Sequence, residues 1–363
     1  MTDPLPAVQP VTAEFRSKVA TVLDRFVDDK QQALSPLGAD VRPLLAAARR
    51  AVGGGKRLRP AFAYWGWRAA GGSAGKDDGI IAASSAIELV HASALVHDDV
   101  MDDSATRRGE PAAHHLFTRE RQNIDATVVH AERFGRSAAI LLGDLLLSWS
   151  DELLSQSDFK PKDLARGRIY FDKLRTEVVA GQYLDVLTQT STRSSAADAM
   201  RVVRYKSAKY TVERPLQFGA ALHKDHPRLL AALSSYGIPL GEAFQLRDDI
   251  LGVFGETTVT GKPTGDDIRE GKRTLLVARA FDKAGPTQHA LLSKNVGDSN
   301  VDAAGIAAVQ EVLQETGALA DVETVIEELT SAALSALVHA PIEDDEARTA
   351  LDVLTGRATQ RVQ

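Results

Sequence analysis

The sequence predicts an all-α protein, and three observations carry that reading. From Val11 onward apolar residues recur with a helical rather than an alternating period. Phe15, Val19, Val22, Leu23 and Phe26 mark one stripe, and Ala308, Val309, Val312 and Leu313 mark another. No segment shows a convincing strand pattern. Two clusters of carboxylates, Asp98 to Asp103 and Asp248-Asp249, each close an apolar, helix-compatible run.

A chain of 363 residues, 44% apolar, can build one large helical domain or two smaller ones. The formal net charge of -6 argues against a general nucleic-acid binder, which would need a basic stripe. There is no cysteine, so disulfides, thiolate metal sites and cysteine nucleophiles are excluded, and any metal ligand must be oxygen or imidazole.

Met1 to Val11 carries Pro4, Pro6 and Pro10 without a charged-then-apolar pattern, so residues 1–11 read as a disordered lead rather than a secretory signal, and a cytoplasmic location is expected. The apolar run Ala138 to Trp149 is interrupted by Asp144 and falls short of the roughly 20 residues a bilayer requires, so no membrane insertion is expected. Breaks are expected at Gly53-Gly54-Gly55, Gly71-Gly72-Ser73, Pro161 and Gly237, and the polar stretch Thr118 to Arg133 reads as a loop or frayed helix end. Pro215 sits inside the otherwise helical stretch Met200 to Leu222 and should kink it. Gly255 to Gly271 reads as a long irregular segment, of the kind that is usually functional or disordered.

The segment Ala86 to Gly109 organises the rest. Its apolar run ends in Asp98-Asp99-Val100-Met101-Asp102-Asp103, followed by Arg107-Arg108-Gly109. On a helix, Asp98 and Asp102 are i and i+4, about 6 Å apart along one face, and can share one hard divalent cation or bridge two. Asp99 points about a quarter-turn away. Four carboxylates in six residues repel one another and oppose the helix dipole at a C-terminal end, a local conflict that a cation would resolve. The second cluster, Phe244-Gln245-Leu246-Arg247-Asp248-Asp249-Ile250-Leu251-Gly252, closes another such run, and two acidic helix ends can face each other.

Basic residues gather near the same landmarks. Gly53-Gly54-Gly55-Lys56-Arg57-Leu58-Arg59-Pro60 joins flexible backbone to three cations and suits a diphosphate. It is not a nucleotide P-loop, because Arg57 rather than Ser or Thr follows Lys56. Lys206, and Lys262 and Lys272 around Asp266-Asp267, add further charge, so a site for two polyanions is expected.

With these blocks in place, the chain resembles the trans-isoprenyl diphosphate synthases, the polyprenyl synthetase family that includes farnesyl and geranylgeranyl diphosphate synthases. The resemblance runs from about Gly53 to Thr274. It rests on Gly54 to Pro60, Glu88-Leu89-Val90-His91, Asp98 to Asp102 with Arg107-Arg108-Gly109, Gly181-Gln182-Tyr183-Leu184-Asp185, Lys206-Ser207-Ala208, Phe244 to Asp249, and Gly261-Lys262-Pro263 through Gly271-Lys272-Arg273-Thr274. It implies a single-domain helical bundle over residues 12–363 around a deep central cavity, usually homodimeric, most like a geranylgeranyl diphosphate synthase.

Carried over by position, the resemblance makes Asp98, Asp102 and Asp248 ligands of three magnesium ions, with Asp99 and Asp249 supporting. Arg107, Lys206, Ser207, Gln245, Lys262 and Lys272 match positions around the allylic diphosphate. Gly55, Lys56, Arg59, His91 and Arg108 match positions for isopentenyl diphosphate, with Phe244 beside its hydrocarbon part. The second acidic motif has Gly252 where the full pattern has a third aspartate, and Ser207 replaces the commoner threonine while keeping a hydroxyl.

The implied chemistry needs no protein nucleophile. Magnesium and cationic side chains offset the charge growing on the leaving diphosphate, the allylic carbon–oxygen bond ionises, and the isopentenyl double bond attacks the cation before a proton is lost. Apolar walls, with residues such as Val90, Ala94 and Leu95, keep water away. In family members that stop at fifteen carbons, one or both positions equivalent to Ser93 and Ala94 are typically aromatic. Both are small here, which points to a twenty-carbon product, with twenty-five or more as the alternative and Ala138 to Trp149 as a possible source of the floor. Three other readings fit less well. His97-Asp98 resembles an HD-type phosphohydrolase pair, but no histidine precedes His91. A regulatory subunit typically loses its acidic motifs. A class I terpene cyclase would not be expected to carry the Gly54-Gly55-Lys56 and Arg108 set.

Overall fold

Thr12 Oγ1 accepts the Phe15 N–H at 3.0 Å and so caps α1 (Ala13–Ala33), with Phe15, Val19, Leu23 and Phe26 buried on one face. The computed structural model describes residues 8–124, 127–190, 195–255 and 264–359. Of the expected disordered lead, residues 1–7 lie outside the described residues, whereas its end packs on the bundle, with Val11 buried and the Trp65 Nε1–H donating to the Pro10 carbonyl at 2.8 Å. After α1 come α2 (Arg42–Val52), α3 (Leu58–Ala69), α4 (Asp78–Met101), α5 (Ala113–Gln122), α6 (Val128–Ser155), α7 (Pro161–Gln189), α8 (Ala196–Val202), α9 (Arg214–His223) and α10 (Pro227–Phe254). They are followed by α11 (Asp266–Arg269), α12 (Leu275–Lys283), α13 (Pro286–Asn295), α14 (Ala303–Glu315), α15 (Ala318–His339) and α16 (Asp345–Thr359). Strand among the described residues is confined to a hairpin of two residues a side, β1 (Thr106–Arg107) against β2 (Glu110–Pro111). The fold is all-α.

Two apolar clusters hold the bundle. The larger joins α1 to α7, α9, the first half of α10 and α16, with Val19, Ile87, Leu142, Phe171, Phe218 and Tyr236 buried in it. The smaller gathers Leu246, Ile250, Leu276, Val309, Leu313 and Val322 around the second half of α10. Helix α10 spans both, so the end that carries Asp248 is braced by the C-terminal helices. Arg247, beside that aspartate, pairs with Glu323 at 2.6 Å and donates to the Thr359 carbonyl at 3.0 Å.

Helix α4 is long and apolar enough to cross a membrane, with a mean hydropathy of 1.6 over its best window. That window is 72% buried inside the bundle, so its apolar surface is used up in the core.

Two expectations about breaks need correction. Thr118 to Arg133 is mostly helical, since α5 runs to Gln122 and α6 starts at Val128. Gly237 lies inside α10, where it lets the helix approach the Glu213 backbone closely, and Pro239 is also inside that helix. Around Pro215 the helical winding changes: Val203–Glu213 is wound as a π-helix, the Arg214 N–H reaches back to the Lys209 carbonyl, and the proline falls at the start of α9. In the segment from Gly255 to Gly271, Asp266–Arg269 is a short helix, whereas Lys262 lies outside the described residues.

Candidate active site

A cavity of about 980 Å³ opens between the C-terminal ends of α4 and α10, walled by α7 and the π segment. Asp98 lines one side, and Asp248 and Asp249 line the other. The two acidic helix ends therefore face each other, as their separate positions in the chain allow.

On the α4 side, Asp102 is the C-cap residue, its N–H bonded to the Asp98 carbonyl at 2.8 Å. Asp98 Oδ1 accepts from Gln182 Nε2 at 2.8 Å and from Lys206 Nζ at 3.2 Å. Burial works against its charge, and Lys206, Lys272 and Arg107 outweigh burial, so the Asp98 carboxyl stays below the ordinary range. At Asp102 the Lys272 and Lys206 charges also act, but they are outweighed. Burial and the neighbouring Asp98 charge push it up to about 7. Asp99 is turned away from the cavity and buried, gripping Arg107, whose Nε donates to it at 2.9 Å.

Lys206 and Ser207 reach the cavity from the π segment, a winding that appears most often at functional sites. Helix α7 comes close enough to support them because Gly181 has no side chain to strike the Lys206 backbone. One turn on, Asp185 takes the Lys206 ammonium at 2.5 Å. Burial opposes the Lys206 charge, and Asp98 with Asp185 restores it, leaving its pKa raised.

On the α10 side, burial and then Asp267 push Asp249 up to about 7, while Gln245 donates to it at 2.7 Å. Lys272 is held by Asp267 and Glu270, each at 2.8 Å, and these two carboxylates overcome burial to raise its pKa well above the ordinary value. Three of the cations that line the cavity thus have a carboxylate behind them: Arg107 has Asp99, Lys206 has Asp185 and Lys272 has Asp267. Such pairing holds a positive charge in place when burial would otherwise disfavour it.

The glycine-rich turn makes the third wall. Gly54 and Gly55 take φ of 63° and 90°, which glycine adopts freely. Among the described residues, the non-glycine residues with positive φ are Arg57, Asp103 and Arg108, all around this site. Such conformations cost about 1–3 kcal/mol each and persist where the surroundings enforce them. Arg108 Nη1 donates to the Gly53 carbonyl at 2.5 Å, so its guanidinium lies over the turn, where a Cβ on Gly55 would crowd it. Lys56 and Arg59 line the cavity. Arg59 stacks on Tyr210 at 4.4 Å and donates to Thr211 at 2.9 Å. His91 Nδ1 meets the Tyr210 hydroxyl at 3.1 Å, and burial followed by the Arg59 and Arg108 charges keeps this imidazole neutral, well below its ordinary pKa.

The cavity brings together Lys56, Arg59, His91, Ala94, Asp98, Arg107, Lys206, Ser207, Gln245, Asp248 and Lys272. Gly55, Asp102 and Arg108 border it without lining it. Three expectations differ from the structure. Arg57, the middle cation of the turn, is turned inward to a buried pair with Glu88 at 2.6 Å. Ser93 is only 2% exposed, and with Val90 it packs in the core rather than on the cavity wall. Phe244 packs against the larger cluster and does not line the cavity. Sequence reasoning missed Gln182, Asp185, Tyr210 and Asp267 as site residues. The first two lay in a block already noticed, Gly181 to Asp185.

The donor set fits a hard divalent cation. Carboxylates of two helix ends converge, and two of them are held at about 7 by crowding and burial that a cation would relieve. A cavity walled largely by helices, with opposed aspartates and two groups of cations, defines a helical protein suited to hold a divalent cation beside polyanions. The chain belongs to the polyprenyl synthetase family, whose model matches residues 41–315, and it is a trans-prenyltransferase. It is 31% identical over 307 residues to a short chain isoprenyl diphosphate synthase of Methanothermobacter thermautotrophicus, covering 83% of this chain and 86% of that one. It is 30% identical over 313 residues to a geranylfarnesyl diphosphate synthase of Aeropyrum pernix, covering 85% and 91%. Among solved structures, a geranylgeranyl pyrophosphate synthase of Corynebacterium glutamicum, complexed with isoprenyl diphosphate and magnesium, superposes with a TM-score of 0.91 at 39% identity, covering 96% of this chain and 99% of that one.

Proposed function

We propose that this protein condenses isopentenyl diphosphate with an allylic diphosphate to make geranylgeranyl diphosphate. The observation that carries the reading is the pair of cationic walls on one cavity. Lys56 and Arg59 stand on one wall beside neutral His91 and close to Arg108, and Lys206 and Lys272 stand on the other beside the facing carboxylates. Two diphosphates can be bound at once, one of them against the carboxylates.

Asp98, Asp102 and Asp248 would hold magnesium, three ions by family resemblance. Magnesium, when bound, supplies positive charge to the allylic diphosphate as the carbon–oxygen bond ionises. Lys206, Lys272 and Arg107 bind the same diphosphate and keep their charge through Asp185, Asp267 and Asp99. Lys262 belongs with them by family resemblance. The opposite wall orients the isopentenyl double bond toward the allylic carbon. Ala94, Leu95, Val178 and Val186 exclude water from the cation until a proton is lost.

The twenty-carbon product is supported by the small Ala94 side chain on the wall and by the Corynebacterium structure. Twenty-five carbons is the alternative, favoured by the Aeropyrum relative. A homodimer is supported by apolar residues left exposed on α6, including Val129, Phe134 and Leu141, which a second copy would cover. The cytoplasm is the proposed compartment, in keeping with the burial of α4. The deciding experiment incubates the purified protein with magnesium, labelled isopentenyl diphosphate and each allylic primer in turn. Elongation to twenty carbons is expected. Phosphate release without elongation, cyclised hydrocarbon, or no product would each overturn the reading.

A further inference from the structure

The residues that follow the first acidic motif hold a second cluster, which the reaction leaves unused. The loop leaves α4 through Asp103, forms the hairpin that carries Arg107 and Arg108, and enters α5 at His114 and His115. One carboxylate oxygen of Asp103 and one ring nitrogen of each histidine lie within 4.8 Å of one another. His114 is 3% exposed, and neither of its ring nitrogens has a hydrogen-bond partner among the described residues. A buried imidazole left this way loses the hydrogen bonds it would make in water and gains nothing in return. Its Nε2 stands 3.7 Å from Asp103 Oδ1. That is too long for a hydrogen bond, but two ligands of a tetrahedral ion with bonds of about 2.0–2.2 Å stand roughly 3.4 Å apart.

We propose that Asp103, His114 and His115 form a divalent transition-metal site, suited to zinc and separate from the carboxylates of the cavity. Two imidazoles and one carboxylate are borderline ligands that favour zinc, cobalt or nickel over magnesium, whereas the all-oxygen set at Asp98, Asp102 and Asp248 favours magnesium. Asp103 sits at positive φ, a conformation that costs energy and points to an enforced position. Because it is exposed, an ion can enter from solvent, and the open fourth position can hold water. His114 is fixed from behind. Thr118 donates to its carbonyl at 2.8 Å, and α6 approaches at Gly135, where a side chain would strike that same turn. A bound ion would tie the first residue after the acidic motif to α5 and so close the ends of the segment that presents Arg107 and Arg108.

The test uses cobalt as a spectroscopic probe with the full-length protein, titrated in excess magnesium. The parent and an Asp98→Ala/Asp248→Ala variant should both bind one equivalent with the visible absorption of a nitrogen-ligated, low-coordinate ion. His115→Ala and Asp103→Asn should each lose that equivalent, weakening by about a hundredfold or more, since even supporting partners of metal ligands account for 10–100-fold. His115→Ala should keep its elongation activity in magnesium alone, which shows that it is folded. Binding of cobalt to His115→Ala with the parent's stoichiometry and spectrum would overturn the proposal. So would loss of the equivalent in Asp98→Ala/Asp248→Ala, because the ion would then belong to the cavity.

Discussion

The carboxylate of Asp267 occupies the space above Gly252, so that a Cβ built on the glycine would collide with it. Gly252 is the position where the full second acidic motif carries its third aspartate. The charge missing from α10 is delivered instead from α11, and it holds Lys272. Restoring the motif with Gly252→Asp should therefore lower activity and stability, with overpacking alone costing about 1–3 kcal/mol. The double variant Gly252→Asp/Asp267→Gly should recover part of the loss. Thermal unfolding and turnover of both variants check this, and a Gly252→Asp protein as stable and active as the parent would refute it.

Asp98→Ala should abolish elongation and leave the helical circular dichroism intact, because Asp98 sits on the cavity wall at a helix end, outside the apolar core. It also removes a charge that, after burial, helps to raise Asp102. Without magnesium the variant should melt no lower than the parent, since Asp102 would face one like charge fewer. Turnover within a few-fold of the parent would sink the metal assignment.

The two carboxyls pushed up to about 7, Asp102 and Asp249, set a pH dependence. Their ordinary value is 3.8, so between there and about 7 the folded protein holds protons that the unfolded chain has released. Their contribution to stability is therefore fully present below 3.8 and is lost as pH rises through about 7. Magnesium needs the ionised carboxylates, so its stabilising effect should grow over the same range. Melting scans with magnesium and with chelator across neutral pH test this. A magnesium-induced rise in Tm that stays constant across the range would contradict it.

The helices, the acidic ends and the order of the seven blocks were legible because each leaves a local pattern. What was not legible depended on facing. Successive helical residues point about 100° apart, and so Arg57 turns to Glu88 while Lys56 and Arg59 reach the cavity, and Ser93 packs in the core while Ala94 lines the wall. Asp185 and Asp267 are ordinary acids in the sequence. Only folding places them behind Lys206 and Lys272, more than twenty residues away in the first case and five in the second. The π winding at Val203–Glu213 has no periodic signature at all in a stretch of mixed polarity. The C-terminal helices carry no motif that the sequence shows, because they brace the end of α10 by packing and by the contacts of Glu323 and Thr359 with Arg247.

The two cationic walls should separate in kinetics. Lys56→Ala or Arg59→Ala should mainly raise KM for isopentenyl diphosphate, and Lys206→Ala should mainly affect the allylic substrate. Charge-assisted contacts are worth about 1.5–3 kcal/mol, or roughly one to two decades in binding. Lys206→Ala should also lower kcat, because it leaves Asp98 and Asp185 without their shared cation. Equal effects of all three substitutions on both substrates would show the partition to be wrong.

Product length tests the path of the growing chain, and the structure assigns unequal roles to two neighbouring residues. Ala94 lines the cavity about 6 Å below Asp98 along α4, one turn beneath the acidic motif. Leu95 and Val178 continue that wall, whereas Val90 and Ile87, further down the same helix, are buried in the larger cluster. A tail that leaves the carboxylates along this face must pass Ala94 first. Ala94→Phe should therefore close the cavity there and shift the product from twenty carbons toward fifteen. Ser93→Phe has no cavity to enter. It should instead overpack the core at a cost of about 1–3 kcal/mol, lowering Tm while the product distribution of the folded fraction stays that of the parent. Chromatography of the extracted products, beside a melting scan of each variant, distinguishes the two. If Ser93→Phe shortened the product and Ala94→Phe did not, the chain would run along the other face of α4.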